Sequence, residues 1–121
     1  MNAKITVNIC ECYDRLAILE IKRDFVSDLD RKKSILSKIK TLEMEISMAI
    51  GADLAAKIYD SEEYKSLFIS NKKVFKLIDE LKNDKTLGPK INSENYNRYL
   101  FKKALQEKFF KESSEEIKLG Y

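Results

Sequence analysis

Five charged side chains sit in a segment that otherwise has the composition of a protein interior. In ICECYDRLAILEIK (9–22) they are Glu11, Asp14, Arg15, Glu20 and Lys22. On a helix, Glu11, Asp14, Arg15, Ile18, Lys22 and Phe25 share one side, while Tyr13, Leu16, Ala17 and Glu20 lie roughly opposite. Carboxylates three apart on one face can share a divalent cation or divide the roles of general acid and base. The same groups can also brace a core, Glu11 with Arg15 at i,i+4 or Glu20 with Arg23, or by reaching neighbouring helices. A helix that is apolar nearly all round is buried, so its charges must be paired or line a cleft. Pairing is the expectation here.

Three further positions bear on that choice. Asn71 falls in an apolar seam with Leu67, Val74 and Ile78. One Asn in such a seam commonly fixes register or oligomeric state; the alternative is an amide facing a ligand between helices. Arg98 and Lys102, four apart with Asn95 and Gln106 nearby, suit a phosphate or carboxylate ligand. They suit equally well the unpaired acids of the first helix. Tyr96, Tyr99, Phe109 and Phe110 lie beside lysines and could stack on bases, but their helical spacing favours the core.

The residue inventory excludes much chemistry. Histidine is absent, which removes imidazole bases, Ser-His and Cys-His nucleophile pairs and the usual zinc sites. Cys10 and Cys12 are too close for an ordinary disulfide on a regular element and read as small packing residues. No metal and no cofactor is expected. The lack of a signal peptide or long apolar run points to a cytoplasmic chain with no membrane span. The net charge of +3 conceals an asymmetry: residues 65–111 hold twelve basic and five acidic side chains. Lysine supplies nineteen of the twenty-three cations, which fits a solvated face better than the arginine-rich surface of many nucleic-acid binders.

The elements that must position these residues are helical. With 121 residues, the chain is expected to form one domain over 1–121. Ile5, Val7 and Ile9 alternate with polar residues, an extended N-terminal arm or a strand that pairs with a partner's copy. Asn8 is placed to cap a first helix over 9–26, with Glu11 completing a capping box. Ser27 and Asp30 signal a second helix ending at Gly51, with Ile35, Ile39, Leu42, Ile46 and Ala49 in a heptad seam. A short helix or turn over 52–61 supplies Asp60 or Ser61 as the next cap. A third helix follows, with Tyr64, Leu67, Asn71, Val74, Ile78 and Leu81 in its stripe. Residues 83–93, with the one proline, read as a loop before a fourth helix starting at Ser93 and Glu94. That helix carries Phe101, Leu105 and Phe109, supported by Tyr96, Leu100 and Ala104. The fold expected is all-α, an antiparallel bundle of about four helices with a short extended arm, forming a coiled-coil-like homodimer.

ITVNICECYDRLAILEIK resembles the opening of a domain-of-unknown-function family of small bacterial and phage proteins. Its members begin I-x-V-x-I-x-E-x-x-D-x-(L/I)-x-I-L-E-I-K. The matching residues are Glu11, Asp14, Leu16, Ile18, Leu19, Glu20, Ile21 and Lys22. The similarity continues at Asn71, Phe75, Ile78 and Asp79, then at Asn95, Arg98, Lys102 and Gln106, and closes near Glu116, Lys118 and Tyr121. Phe75 stands where many relatives have Trp, and Leu119-Gly120 falls inside the closing motif. The resemblance implies a shared fold and a shared set of polar positions, in a setting of cell-surface polysaccharide synthesis, without implying a reaction. A second pattern, the E-x-x-E and E-x-x-D pairs of all-α nucleotide pyrophosphohydrolases, is met by Glu112-x-x-Glu115 and Glu11-x-x-Asp14 in reversed order.

The candidate polar cluster is therefore Glu11, Asp14, Glu20, Lys22, Asn71, Asp79, Asn95, Arg98 and Lys102. The leading function is a non-enzymatic helical adaptor or structural protein. The alternatives are a protein or enzyme that holds an anionic small molecule between helices, and lysine-mediated nucleic-acid binding.

Overall fold

The computed structural model describes residues 4–110 and 116–120, with the backbone path alone for 4–7 and 116–120. The chain is all-α in class. Its helices are α1 (Ile9–Phe25), α2 (Leu29–Ile50), α3 (Ala52–Tyr59), α4 (Glu62–Leu81) and α5 (Gly88–Phe109), with a 3-10 turn at Lys85–Leu87. The N-terminal segment is not a free arm. Strand β1 (Lys4–Asn8) pairs antiparallel with β2 (Glu116–Gly120), Lys4 opposite Gly120 and Asn8 opposite Glu116. Pairing within the chain gives the strand a partner along one edge without a second copy.

The helix boundaries follow from local chemistry. Asn8 caps α1, its side chain accepting from the Cys10 amide at 2.8 Å. Asp28 rather than Ser27 caps α2, accepting from Asp30 N at 3.2 Å, because the residue directly before the first helical turn reaches the free amides. Gly51 ends α2 at φ +92°, in the left-handed region where a side chain would be strained. Ser61 caps α4: its hydroxyl accepts from Tyr64 N at 3.1 Å and donates to the Ile58 carbonyl at 2.6 Å.

The expected loop over 83–93 is mostly helix. Pro89 lies in the first turn of α5, where its missing N–H costs no hydrogen bond and its fixed φ favours the helix. Ser93 and Glu94 are thus interior residues of α5 and not its start. The helix closes at Phe109, where the Phe110 amide donates to Gln106 O at 2.8 Å; residues 111–113 of the expected helix lie outside the described residues.

Helix α1 is the centre of the molecule, packed against α2, α4 and α5. Ile9, Cys12, Tyr13, Leu16 and Ala17 are buried along it in one cluster with Ile39, Leu42 and Ile46 of α2, Ile58 of α3, Tyr64 and Leu67 of α4 and Leu105 of α5, and Ile21 is buried as well. A 17-residue helix is only about 26 Å long and cannot cover the whole of its longer neighbours. Accordingly Ala49 and Ile78, assigned to seams by spacing, face solvent. Tyr96, Tyr99, Leu100 and Ala104 are also exposed, because α5 turns its Arg98, Phe101, Lys102, Leu105 and Phe109 stripe inward. The expectation that Tyr96 and Tyr99 belong to the core is corrected.

Candidate functional site

The first of two polar networks on α1 centres on Asp14, whose side chain is 3% exposed. One carboxylate oxygen accepts from Asn71 Nδ2 at 2.8 Å and from Arg98 Nε at 3.0 Å. The other accepts from an Arg98 terminal nitrogen, completing a two-pronged fork. Lys102 Nζ stands 3.8 Å from that second oxygen and pairs more closely with Glu11, at 2.9 Å. Asn71 also donates to Leu67 O, one turn back, at 3.2 Å. Burial pushes the Asp14 carboxyl upward, but the hydrogen bonds from Arg98 and Asn71 and the two cations outweigh it and hold it below the ordinary range. Arg98 is raised in turn, chiefly by its hydrogen bond to Asp14.

The second network lies on another side of α1. Glu20 is buried, and its two oxygens accept from Tyr59 and Tyr64 hydroxyls, each at 2.9 Å. The Tyr59 and Tyr64 rings lie 5.1 Å apart, and Tyr13 meets Tyr64 edge-on at 5.6 Å. Tyr13 itself donates to the Ala55 carbonyl at 3.1 Å. Burial first, and then the hydrogen bond to Glu20, push the Tyr59 hydroxyl up to about 12. The Tyr64 hydroxyl is raised as well, by burial and by the Glu20 charge. Neither phenol ionises near neutral pH, so neither serves there as a base.

The nine candidate residues therefore divide. Glu11, Asp14, Asn71, Arg98 and Lys102 converge. Glu20 belongs to the separate tyrosine network. Lys22, Asp79 and Asn95 are exposed and join neither network; Asp79 pairs with Lys82 at 3.6 Å. Glu11 reaches across to Lys102 of α5, while Arg23 bonds its neighbour Asp24 at 3.2 Å and the Glu20 oxygens go to the tyrosines. Asn71 is an intramolecular strut between Asp14 and its own helix. Glu112 and Glu115 lie outside the described residues, and among those described no group of Cys, Asp and Glu gathers as metal ligands would.

Two partnerships escaped the sequence reading. Tyr59 and Tyr64 are the donors to Glu20, and the only hint was that a buried phenol needs a polar partner. Cys10 donates its thiol proton to Gln106 Oε1 at 2.9 Å. Burial, and then Glu11, push that thiol up to about 12, so it stays protonated and keeps the bond.

Both Asp14 oxygens accept hydrogen bonds within the chain, and the carboxylate is almost wholly shielded from solvent. The groove beside the network, about 280 Å³, is lined by Asn8, Cys10, Glu11, Tyr99, Lys102 and Gln106 among others, and not by Asp14, Asn71 or Arg98. Among the described residues no buried side-chain nitrogen or oxygen lacks a partner, and no helix is long and apolar enough to cross a membrane. Comparison of the chain with protein-family models, curated proteins and solved structures finds no match.

Proposed function

We propose that this chain is a non-enzymatic helical adaptor or structural protein, in which the polar residues of α1 brace the core and partners are engaged through the surface. One observation carries the reading. Asp14, the group best placed for acid-base chemistry, is enclosed by Asn71 and Arg98 with Lys102 alongside, so both of its oxygens are bonded inside the chain. In this reading α1, α2, α4 and α5 act as an antiparallel four-helix bundle. The protein works in the cytoplasm as a homodimer, and exposed apolar residues such as Leu29, Met44 and Met48 of α2 supply contact surface. The family resemblance at Glu11, Asp14 and Glu20 sets the adaptor beside cell-surface polysaccharide synthesis.

The competing reading is an anionic ligand held between helices by Arg98 and Lys102. A thermal-shift screen with sugar nucleotides and phosphorylated metabolites at millimolar concentration separates the two. The adaptor reading expects no stabilisation. A melting temperature that climbs with the concentration of any one compound overturns it, because a ligand selective for the folded state must stabilise that state.

A further inference from the structure

Three lysines of the basic stretch 65–111 that join neither network, Lys73, Lys76 and Lys90, line one place on the surface. Between α4 and the first turns of α5 runs a groove of about 570 Å³, lined by Lys73, Lys76, Leu77, Pro89, Lys90 and Glu94 among others. Leu77 and Pro89 supply apolar surface, and three ammonium groups surround it. The one carboxylate in the lining, Glu94, is already committed: it pairs with Lys73 at 4.0 Å and accepts from Asn97 Nδ2 at 3.0 Å. Nearby acids have other partners, although Asp84 also lies within electrostatic reach of Lys90. Asp79 pairs with Lys82, and Asp84 accepts from the Thr86 amide at 3.0 Å and its hydroxyl at 2.6 Å. Lys76 makes no ion pair among the described residues.

The geometry points to a docking site for an acidic segment of a partner protein, anchored by one apolar side chain on Leu77 and Pro89 with carboxylates meeting Lys73, Lys76 and Lys90. The assignment rests on the adaptor reading and names the chemistry of its partner. A peptide fits this groove better than a nucleic acid for two reasons. The apolar residues of the lining are aliphatic, with no aromatic face on which a base could stack. Its cations are lysines, which meet carboxylates as point charges and lack the fork with which arginine reads bases and grips phosphates. Apolar contact gives the complex its lifetime, while the lysine rim supplies orientation and rate of encounter.

The test selects binders to the full chain from a random peptide library, with K73E/K76E/K90E as the counter-target. The three side chains are solvent-facing, but Lys73 pairs with Glu94, so melting of the variant is measured and K76E/K90E, which leaves that pair intact and should melt with the wild type, is run beside it. Expected is a consensus of Asp or Glu flanking Leu, Ile, Phe or Met. A labelled peptide of that consensus should bind the variant at least about tenfold more weakly, with affinity that falls as salt rises. No enriched peptide, a consensus without acids, or equal binding to the variant overturns the proposal. So does a single-stranded DNA of equal charge that binds more tightly than the peptide. The two readings fail separately: metabolite stabilisation defeats the adaptor reading, whereas failed peptide selection with no metabolite effect removes only this groove.

Discussion

Asp14→Asn is the sharpest test of the brace. The substitution keeps volume but replaces one acceptor oxygen by a donor, in a position where Asn71 and Arg98 both donate. One donor must then face another, and Arg98 keeps its charge without a partner. Breaking a buried pair costs about 3–5 kcal/mol. Arg98, whose side chain is 26% exposed against 3% for Asp14, can recover some hydration, which places the loss near about 3 kcal/mol. For a domain of this length that is roughly 10 °C in melting temperature and a large share of a total of about 5–15 kcal/mol. Urea unfolding followed by far-ultraviolet circular dichroism measures it, with Arg98→Met and the double variant closing a cycle. The two single losses should sum to more than the double loss, by about 2 kcal/mol. The pH dependence carries a matching sign. The folded carboxyl lies below its ordinary 3.8, so its contribution is full above that value and disappears as the pH falls through the lower, folded pKa. Asp14→Asn should therefore lose less stability than the wild type on acidification below about pH 4. A loss under about 1 kcal/mol, or strict additivity with Arg98→Met, refutes the brace.

The tyrosine network and the cysteines give two further tests. Tyr64→Phe removes a buried donor from Glu20 and should cost about 1.5–3 kcal/mol, whereas Tyr59→Phe should cost less than about 1 kcal/mol, because Tyr59 is 41% exposed and water can replace its hydroxyl. Equal losses in urea unfolding would show that Glu20 is not held in this way. Burial pushes Cys10 up to about 12 and Cys12 to about 11, so at pH 8 both are buried thiols and a disulfide-exchange reagent should label them only through opening of the fold. Labelling should accelerate with urea in step with unfolding; an immediate burst from either cysteine in the native protein contradicts the assignment.

How much of this could be read from the sequence depended on the kind of question asked. Helical spacing placed Asp14 and Asn71 on inward faces and Arg98 and Lys102 on one face, but it left open whether a ligand or the acids of α1 met those two cations. It failed at Ile78, Tyr96 and Leu100, because periodicity says which residues share a face and not whether a neighbour is long enough to cover it. Pro89 misled because proline breaks a helix interior but suits a first turn, and the two cases differ only in what precedes it. Glu20 was recognised as misplaced, yet its donors were hidden in the apolar stripe, where Tyr64 counted as a hydrophobe. Asp79 entered through family resemblance and Asn95 through its place beside Arg98 and Lys102 on the helix, and both lie outside the two networks.

The two buried carboxylates also address a problem that the apolar residues of α1 leave open. A helix with apolar residues on nearly every side could rotate or slide among its neighbours at little hydrophobic cost. Asp14 and Glu20, six positions apart, project about 120° from each other around the axis. Asp14 is tied to Asn71 of α4 and Arg98 of α5, and Glu20 to Tyr59 of α3 and Tyr64 of α4. Advancing α1 by one residue would put Arg15 where Asp14 meets Arg98, setting cation against cation. It would also put Ile21 where Glu20 accepts two hydroxyls, leaving the buried Tyr64 without a partner. Each error carries the cost of an unpaired buried polar group, and the two arise together. The charges that look like an active site in sequence thus have a sufficient physical role in fixing the rotation and register of the central helix.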